Sequence, residues 1–245
     1  PGLSGHEDRV RRELLGRLDA IGVESRSDRL GNLVAHFPGD GPRVMLFTHM
    51  DQLGFIVRRI DASGLIGLER LGGVPERALA SQEVLICVGE GRDISGVITN
   101  KSHHATTPSE KYQVVPYAEL YVDTGLSSAS EVEAAGIRIG SPVVYAPHAV
   151  ELGNNRICGT SIDDRAGCAV LLEVARLLKN RTSGPPVDLA FTVLEEFNLR
   201  GALPLAQNLL PDIAIQLDLM LATDTPDMEA YGQMVLGGGP GMSMY

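Results

Sequence analysis

The sequence predicts an α/β fold: a mostly parallel sheet flanked by helices, with a β-rich insert in the middle. Three observations predict it. Strand-like and helix-like segments alternate near both ends of the chain, the pattern that builds a parallel sheet with helices on both faces. The segment "RVMLFTHMD" is nearly continuously apolar before its end, as expected of a strand covered on both sides. From about Phe55 the texture changes to short strand-like pieces between turn residues, and α/β texture returns after Glu151. The expected division is therefore 1–58 and 152–245 for the α/β part and 59–151 for the insert.

The elements follow in order. In "GHEDRVRRELLGRLDAIG", Val10, Leu14, Leu15, Leu18 and Ile21 fall on one helical face, and Gly22 supplies the stop. "GNLVAHFPG" and "RVMLFTHMD" read as strands. "FIVRRIDASGLIGLERLGG" reads as a hairpin turning at Ala62, Ser63 and Gly64. "EVLICVGEGRDISGVITN" and "GSPVVYAPHAVEL" are further strand-like pieces, interrupted by a short serine-capped helix in "SSASEVEAAGI". "RAGCAVLLEVARLLKN" predicts a buried helix, "VDLAFTVLEE" a strand, "LRGALPLAQNLL" a helix and "PDIAIQLDLML" another buried strand. "LGGGPG" lacks the Lys-Ser/Thr of a phosphate loop and reads as a turn.

Composition narrows the function. A formal net charge of −10 argues against a general nucleic-acid binder, which needs a basic face, and against an anionic membrane surface. No apolar run approaches the roughly 20 residues that span a bilayer. The first residues lack the basic start and apolar core of a signal peptide. Cys87, Cys158 and Cys168 form no CxxC, and read as thiols in a reducing cytoplasm.

Acids gather where such sheets bind ligands, outside the carboxyl ends of their strands. One strand ends at His49 and Asp51, one at Glu195 and Glu196, and one at Asp218; Asp163 and Asp164 precede the long helix. Each group alone has an ordinary structural explanation: a histidine bonding a carbonyl, an aspartate capping a helix, glutamates on a solvated edge. Together they are costly unless a cation neutralises them. His, Asp and Glu suit zinc, and also cobalt or manganese. Adjacent strand residues point in different directions, so one glutamate can hold metal while the other faces a substrate water. A dinuclear site needs a bridging carboxylate and a base.

"THMDQLGF", "SIDDRAGCAVLLE", "LEEFNLRGA" and "QLDLMLATDTP" together resemble the tetrahedral (TET-type) metalloaminopeptidases, which include glutamyl aminopeptidase-like proteins, some labelled "cellulase M". "ELYVDTG", "GIRIGSPVVY" and "ELGNNRICG" extend the similarity over nearly the whole chain. The resemblance implies a zinc-peptidase type of fold whose insert is a small β-barrel-like dimerisation domain. It implies two divalent metal ions: His49 and Asp218 on the first, Glu196 on the second, and Asp163 bridging them. Glu195 is then the general base, and Asp51 orients the His49 imidazole. Asp164 is expected to act through Arg165. Peptides are the implied substrates, and a homo-oligomer, dimers assembling into a dodecamer, the implied state.

The sequence departs from the family in two ways. The family carries a further histidine ligand downstream of the Asp218 position, whereas all histidines here (His6, His36, His49, His103, His104 and His148) precede Asp163. With no initial Met, this favours a chain that is incomplete at its C-terminus. Phe197-Asn198 stands where the family reads Val-Gly, and asparagine tolerates the left-handed backbone that such a turn requires. His103 and His104 read as a polar loop, since adjacent histidines rarely chelate one ion well.

The expected activity is metal-dependent removal of the N-terminal residue of peptides. A zinc-dependent deacylase on the same scaffold and a catalytically impaired assembly subunit are the alternatives. A glycosidase ranks below both, because two carboxylates suffice for that chemistry without His49 or Asp163, and the chain has no Trp for a sugar platform.

Overall fold

In the computed structural model, residues 1–89 and 91–242 are described. Helix α1 (Asp8–Ala20) is followed by strands β1 (Arg26–Ser27), β2 (Leu33–Phe37) and β3 (Val44–His49). Six strands come next: β4 (Gly54–Ile60), β5 (Ile66–Leu71), β6 (Glu83–Cys87), β7 (Asp93–Thr99), β8 (Tyr121–Asp123) and β9 (Pro142–Tyr145). Helix α2 (Ala129–Ala134) lies between the last two of these. A hairpin of β10 (Ala149–Leu152) and β11 (Arg156–Gly159) leads into helix α3 (Ile162–Leu178), strand β12 (Val187–Thr192), helix α4 (Ala202–Leu209) and strand β13 (Ile213–Gln216).

The sheet has the order β1-β2-β12-β3-β13. It is mixed rather than mostly parallel. β12 and β13 run parallel to β3, whereas β2 runs antiparallel to both β12 and β1. The reason is that β12 slots between β2 and β3, which run in opposite directions. Side chains alternate across the sheet, as strand geometry requires. Leu33, Ala35, Leu189 and Phe191 join Leu14 and Leu18 of α1 and Leu171 and Ala175 of α3 in one apolar cluster. Val34, Met45 and Ala190 join Leu205 and Leu209 of α4 in another. At roughly 25 cal/mol per Å² of apolar area removed from water, these two clusters fix the sheet against its helices.

β4 to β9 close into a barrel in the order β4-β5-β8-β7-β6-β9. β4 begins at Gly54, ahead of the boundary expected near residue 59, so the barrel starts within a few residues of His49. Its interior is a separate apolar cluster including Phe55, Val57, Ile66, Leu68, Val84, Ile86, Ile98 and Val143. The β4–β5 turn uses Gly64 at φ +84°, where an added Cβ would also press on the Leu126 carbonyl. Ser128 caps α2 by accepting from the Glu131 N–H at 3.2 Å. The barrel is tied to α1 by a two-pronged pair in which Arg9 donates to both oxygens of Asp93, at 2.8 and 2.9 Å.

The segment expected to be a buried final strand differs from that expectation. β13 is four residues long and exposed at every position, because among the described residues it lies at the sheet edge beside β3 alone. No helix among the described residues is long and apolar enough to cross a membrane.

Candidate active site

β3, β12 and β13 are parallel, so their carboxyl ends face one way and deliver His49, the Glu195-Glu196 pair and Asp218 to one edge. The register sets His49 directly beside Thr192, the last residue of β12. His49 is 1% exposed. Its Nε2 lies 2.9 Å from Asp163 Oδ1, 3.9 Å from Glu195 Oε2 and 4.0 Å from Asp218 Oδ1. On the other side of the ring, Nδ1 lies 3.4 Å from Asp51 Oδ1, a charge contact without hydrogen-bond alignment.

His49, Asp163 and Asp218 each offer one atom, all within 4.8 Å of one another. Among the described residues this is the group that could hold a metal ion; Glu196 stands outside it, as do His103 and His104 in their exposed loop. The electrostatics fit a cation. Burial alone would lower the His49 pKa, but Asp163, Asp51 and Glu195 outweigh it and push it up to about 11. Burial, with repulsion from Asp163, Glu195 and Asp51, raises Glu196 to about 7. Burial raises Glu195 too, with Asp218, Asp51 and Asp163 adding to it against the pull of His49. Such mutual repulsion among carboxylates is what a divalent ion would relieve. The oxygen and imidazole donors of His49, Asp163 and Asp218 are a set that zinc accepts.

Asp163 and Asp164 part company. Neither has helical dihedrals, and Asp163 turns its carboxylate to His49. Asp164 is buried and caps the helix that follows, accepting from the Gly167 N–H at 2.9 Å. It also accepts from the Thr48 hydroxyl. A Cβ at position 167 would strike both of these partners, so only glycine lets the helix start here. Arg165 makes no ion pair with Asp164 among the described residues. It donates instead to the Met50 carbonyl and, at 3.4 Å, to Gln52 Oε1. The expected route from Asp164 through Arg165 is therefore corrected: Asp164 acts on Thr48 and the helix start.

Asp51 is wholly buried and joins most of the parts. Its Oδ1 accepts from Glu195 N at 2.9 Å; its Oδ2 accepts from Glu196 N at 3.1 Å and from Ser4 Oγ at 2.6 Å. Burial pushes its pKa up, but His49, Ser4 and the Glu195 amide prevail and hold it below the ordinary carboxylate value. The turn after Glu196 takes left-handed backbone at Asn198 (φ +67°), as its asparagine allows, and at Leu199 (φ +54°). Leu194 is also left-handed, at φ +57°. For a leucine this costs about 1 kcal/mol or more, and persists only where the surroundings dictate it.

Three residues around the site were not legible in the sequence: Ser4, Glu7 and Asn32. Ser4 and Glu7 have the Ser-x-x-Glu spacing of a helix capping box, which hides their use elsewhere. Glu7 Oε1 accepts from Gly5 N at 2.8 Å and Leu194 N at 3.1 Å, and Asn32 Oδ1 accepts from Val193 N at 3.0 Å.

The family described as M42 glutamyl aminopeptidase matches residues 31–245. The chain is 35% identical over 245 residues to the SgcX protein of Escherichia coli, covering 98% of this chain and 65% of that relative. It is 31% identical over 247 residues to the lysyl aminopeptidase of Pyrococcus furiosus, covering 100% of this chain and 70% of the relative. Among solved structures, the TET1 peptidase of Pyrococcus horikoshii, described as assembling into a tetrahedron or a large octahedral shell, superposes with a TM-score of 0.82. It is 29% identical, over 89% of this chain and 65% of that one. The chain thus spans about two thirds of the length of these relatives.

Proposed function

The chain belongs to the M42 glutamyl aminopeptidase family, and from that premise we propose that it forms the core of a dinuclear, metal-dependent aminopeptidase. The observation that carries the reading is the convergence of His49, Asp163 and Asp218 within 4.8 Å, with a Glu195 oxygen 3.9 Å from the same imidazole nitrogen.

His49 and Asp218 would hold one ion, Glu196 the other, and Asp163 both. Zinc suits this set, and cobalt and manganese share it. Bound divalent ions supply Lewis acidity toward a carbonyl and make water a stronger acid. Glu195 would take a proton from the attacking water on its carboxylate and return it to the leaving amine. Its raised pKa, from burial and neighbouring acids, suits a group that must both accept and release a proton. Asp51 steadies the His49 ring from behind. The acid excess at this edge would favour a substrate's free ammonium terminus.

The remaining readings are proposals in the same sense. The five-stranded sheet with its flanking helices forms the catalytic unit, of the zinc-peptidase type, and the barrel that begins at Gly54 forms the dimerisation unit. The protein works in the cytoplasm as a homo-oligomer of the TET kind, on peptides rather than nucleic acid or membrane. A deacylase would use the same metal ligands, but family membership favours the peptidase.

The test is to strip the protein of metal, restore zinc or cobalt, and offer one tetrapeptide in free and N-acetylated forms. Metal-dependent release of the first residue from the free form alone supports the proposal. Removal of the acetyl group assigns a deacylase, and no reaction with either form assigns an impaired assembly subunit.

A further inference from the structure

After Thr192 the β12 ladder ends, and the next four backbone N–H groups have no partner within the sheet. Each is taken by a side-chain oxygen from a distant segment. Val193 N donates to Asn32 Oδ1 at 3.0 Å, Leu194 N to Glu7 Oε1 at 3.1 Å, Glu195 N to Asp51 Oδ1 at 2.9 Å and Glu196 N to Asp51 Oδ2 at 3.1 Å. The acceptors are themselves fixed. Asn32 donates through Nδ2 to Asp28 Oδ2 at 2.7 Å and to the Gly201 carbonyl at 3.1 Å, and Ser4 Oγ donates to Asp51 Oδ2 at 2.6 Å. Ser4, Glu7, Asn32 and Asp51 are all at most 5% exposed. Leu194, in the middle of the run, has the left-handed φ that leucine avoids.

We propose that Glu7, Asn32 and Ser4 are positioning residues: with Asp51 they form a clamp on the amides of residues 193–196 that aims the Glu195 and Glu196 carboxylates. The inference rests on the reading that these two glutamates act at the metal centre. A carboxylate ligand or base displaced by about 1 Å loses much of its effect, so a strained turn that presents two of them in succession needs fixing from outside. Three separate segments do this: the strap before α1, the turn before β2 and the loop after β3. A helix cap or a turn needs one acceptor; four consecutive amides held by three segments specify one backbone path. Glu7 uses a single oxygen for its two amide contacts. Its work is that of an acceptor, which a glutamine can also do.

The test compares Glu7→Gln with Glu7→Leu in the protein loaded with cobalt. One readout is cobalt affinity with the visible absorption of the bound ion; the other is kcat and KM on a tetra-alanine peptide. Glu7→Leu should weaken cobalt binding or lower kcat by about 10- to 100-fold, the range for lost outer partners of metal sites, with KM within about twofold. Glu7→Gln should stay within about threefold of the parent. If Glu7→Leu folds and keeps the parent's kcat, cobalt affinity and spectrum, the clamp is overturned. It is also overturned if Glu7→Gln is as impaired as Glu7→Leu. Should Glu7→Leu fail to fold, Ser4→Ala replaces it: a drop in kcat restored by Ser4→Thr supports the clamp, and an unchanged kcat overturns it. A parent that binds cobalt but cleaves no peptide defeats the peptidase reading, while the cobalt arm still decides the clamp.

Discussion

Of the three strand ends that build the site, two are held in opposite ways. β12 is central, buried at all six positions and paired with β2 and β3, and the four residues after it are pinned by side chains from elsewhere. β13 is an edge strand, exposed throughout, and among the described residues Asp218 beyond it hydrogen-bonds only to neighbours in sequence: Gln216 Nε2 and Leu219 N, each at 2.7 Å. Both ends present carboxylates within 4.0 Å of His49 Nε2. One half is therefore preorganised by a buried hydrogen-bond network, and the other by pairing with β3 alone. The lesson is that residues with equal claims on one histidine can have unequal structural roles, so their substitutions should separate.

The largest effect is expected at the rigid half. Glu195→Gln keeps the shape and the amide anchored on Asp51, and removes the proton acceptor. Turnover should fall about 10²- to 10⁴-fold, the usual worth of a general base. Cobalt bound by His49, Asp163 and Asp218 should remain by titration. Near-parental turnover would reject Glu195 as the base.

The sharper comparison sets Asp51→Ala against Asp218→Ala. Removing Asp51 leaves two backbone amides and the Ser4 hydroxyl without acceptors in a buried place. Each such orphan costs about 1–3 kcal/mol. The melting temperature should fall by several degrees, and metal affinity by about 10- to 100-fold. Removing Asp218 strips a proposed ligand from a place where its partners are local, so metal affinity should fall with little change in melting temperature. Equal melting losses in both variants would erase the difference between the two halves.

Much of this was legible in the sequence because chemistry and pattern coincide there. The apolar runs ending in His49 and in Glu195-Glu196 announce strands that carry polar side chains to one sheet edge, and Asn198 announces a left-handed turn. The illegible parts depend on tertiary placement. Strand direction is not written in composition, so the antiparallel β2 was missed. "IAIQL" looks like a core strand, yet Ile213 and Ile215 are 46% and 49% exposed, because burial depends on what packs over an edge. Ser4 and Glu7 carry the chemistry of a helix start, and only the fold shows them bonded across the site. Asp164 answers to its plain reading, as a cap, whereas its neighbour Asp163 faces the histidine.

The smallest expected effect lies at the other end of β12 and uses pH. Asp188 is wholly buried in the strand, where its Oδ2 accepts from Arg43 Nε at 2.6 Å and its Oδ1 lies 2.8 Å from His36 Nδ1. Burial pushes its pKa up, but the bonds from Arg43 and His36 prevail and hold it below the ordinary 3.8. A carboxyl that titrates lower when folded than when unfolded stabilises the fold above the unfolded value. That stabilisation is lost as pH falls through the folded value. Arg43 is one-third exposed, so its screening by water trims the gain. Asp188→Asn should cost about 2 kcal/mol at pH 7, read from urea unfolding, and the gap to the parent should narrow as pH drops below 4. This pair lies at the far end of the strand from His49, so zinc affinity should not change. A variant that lost metal as well would mean that the two ends of β12 are coupled, and the contrast drawn between central and edge strand would then extend along the whole strand rather than belong to its last four amides.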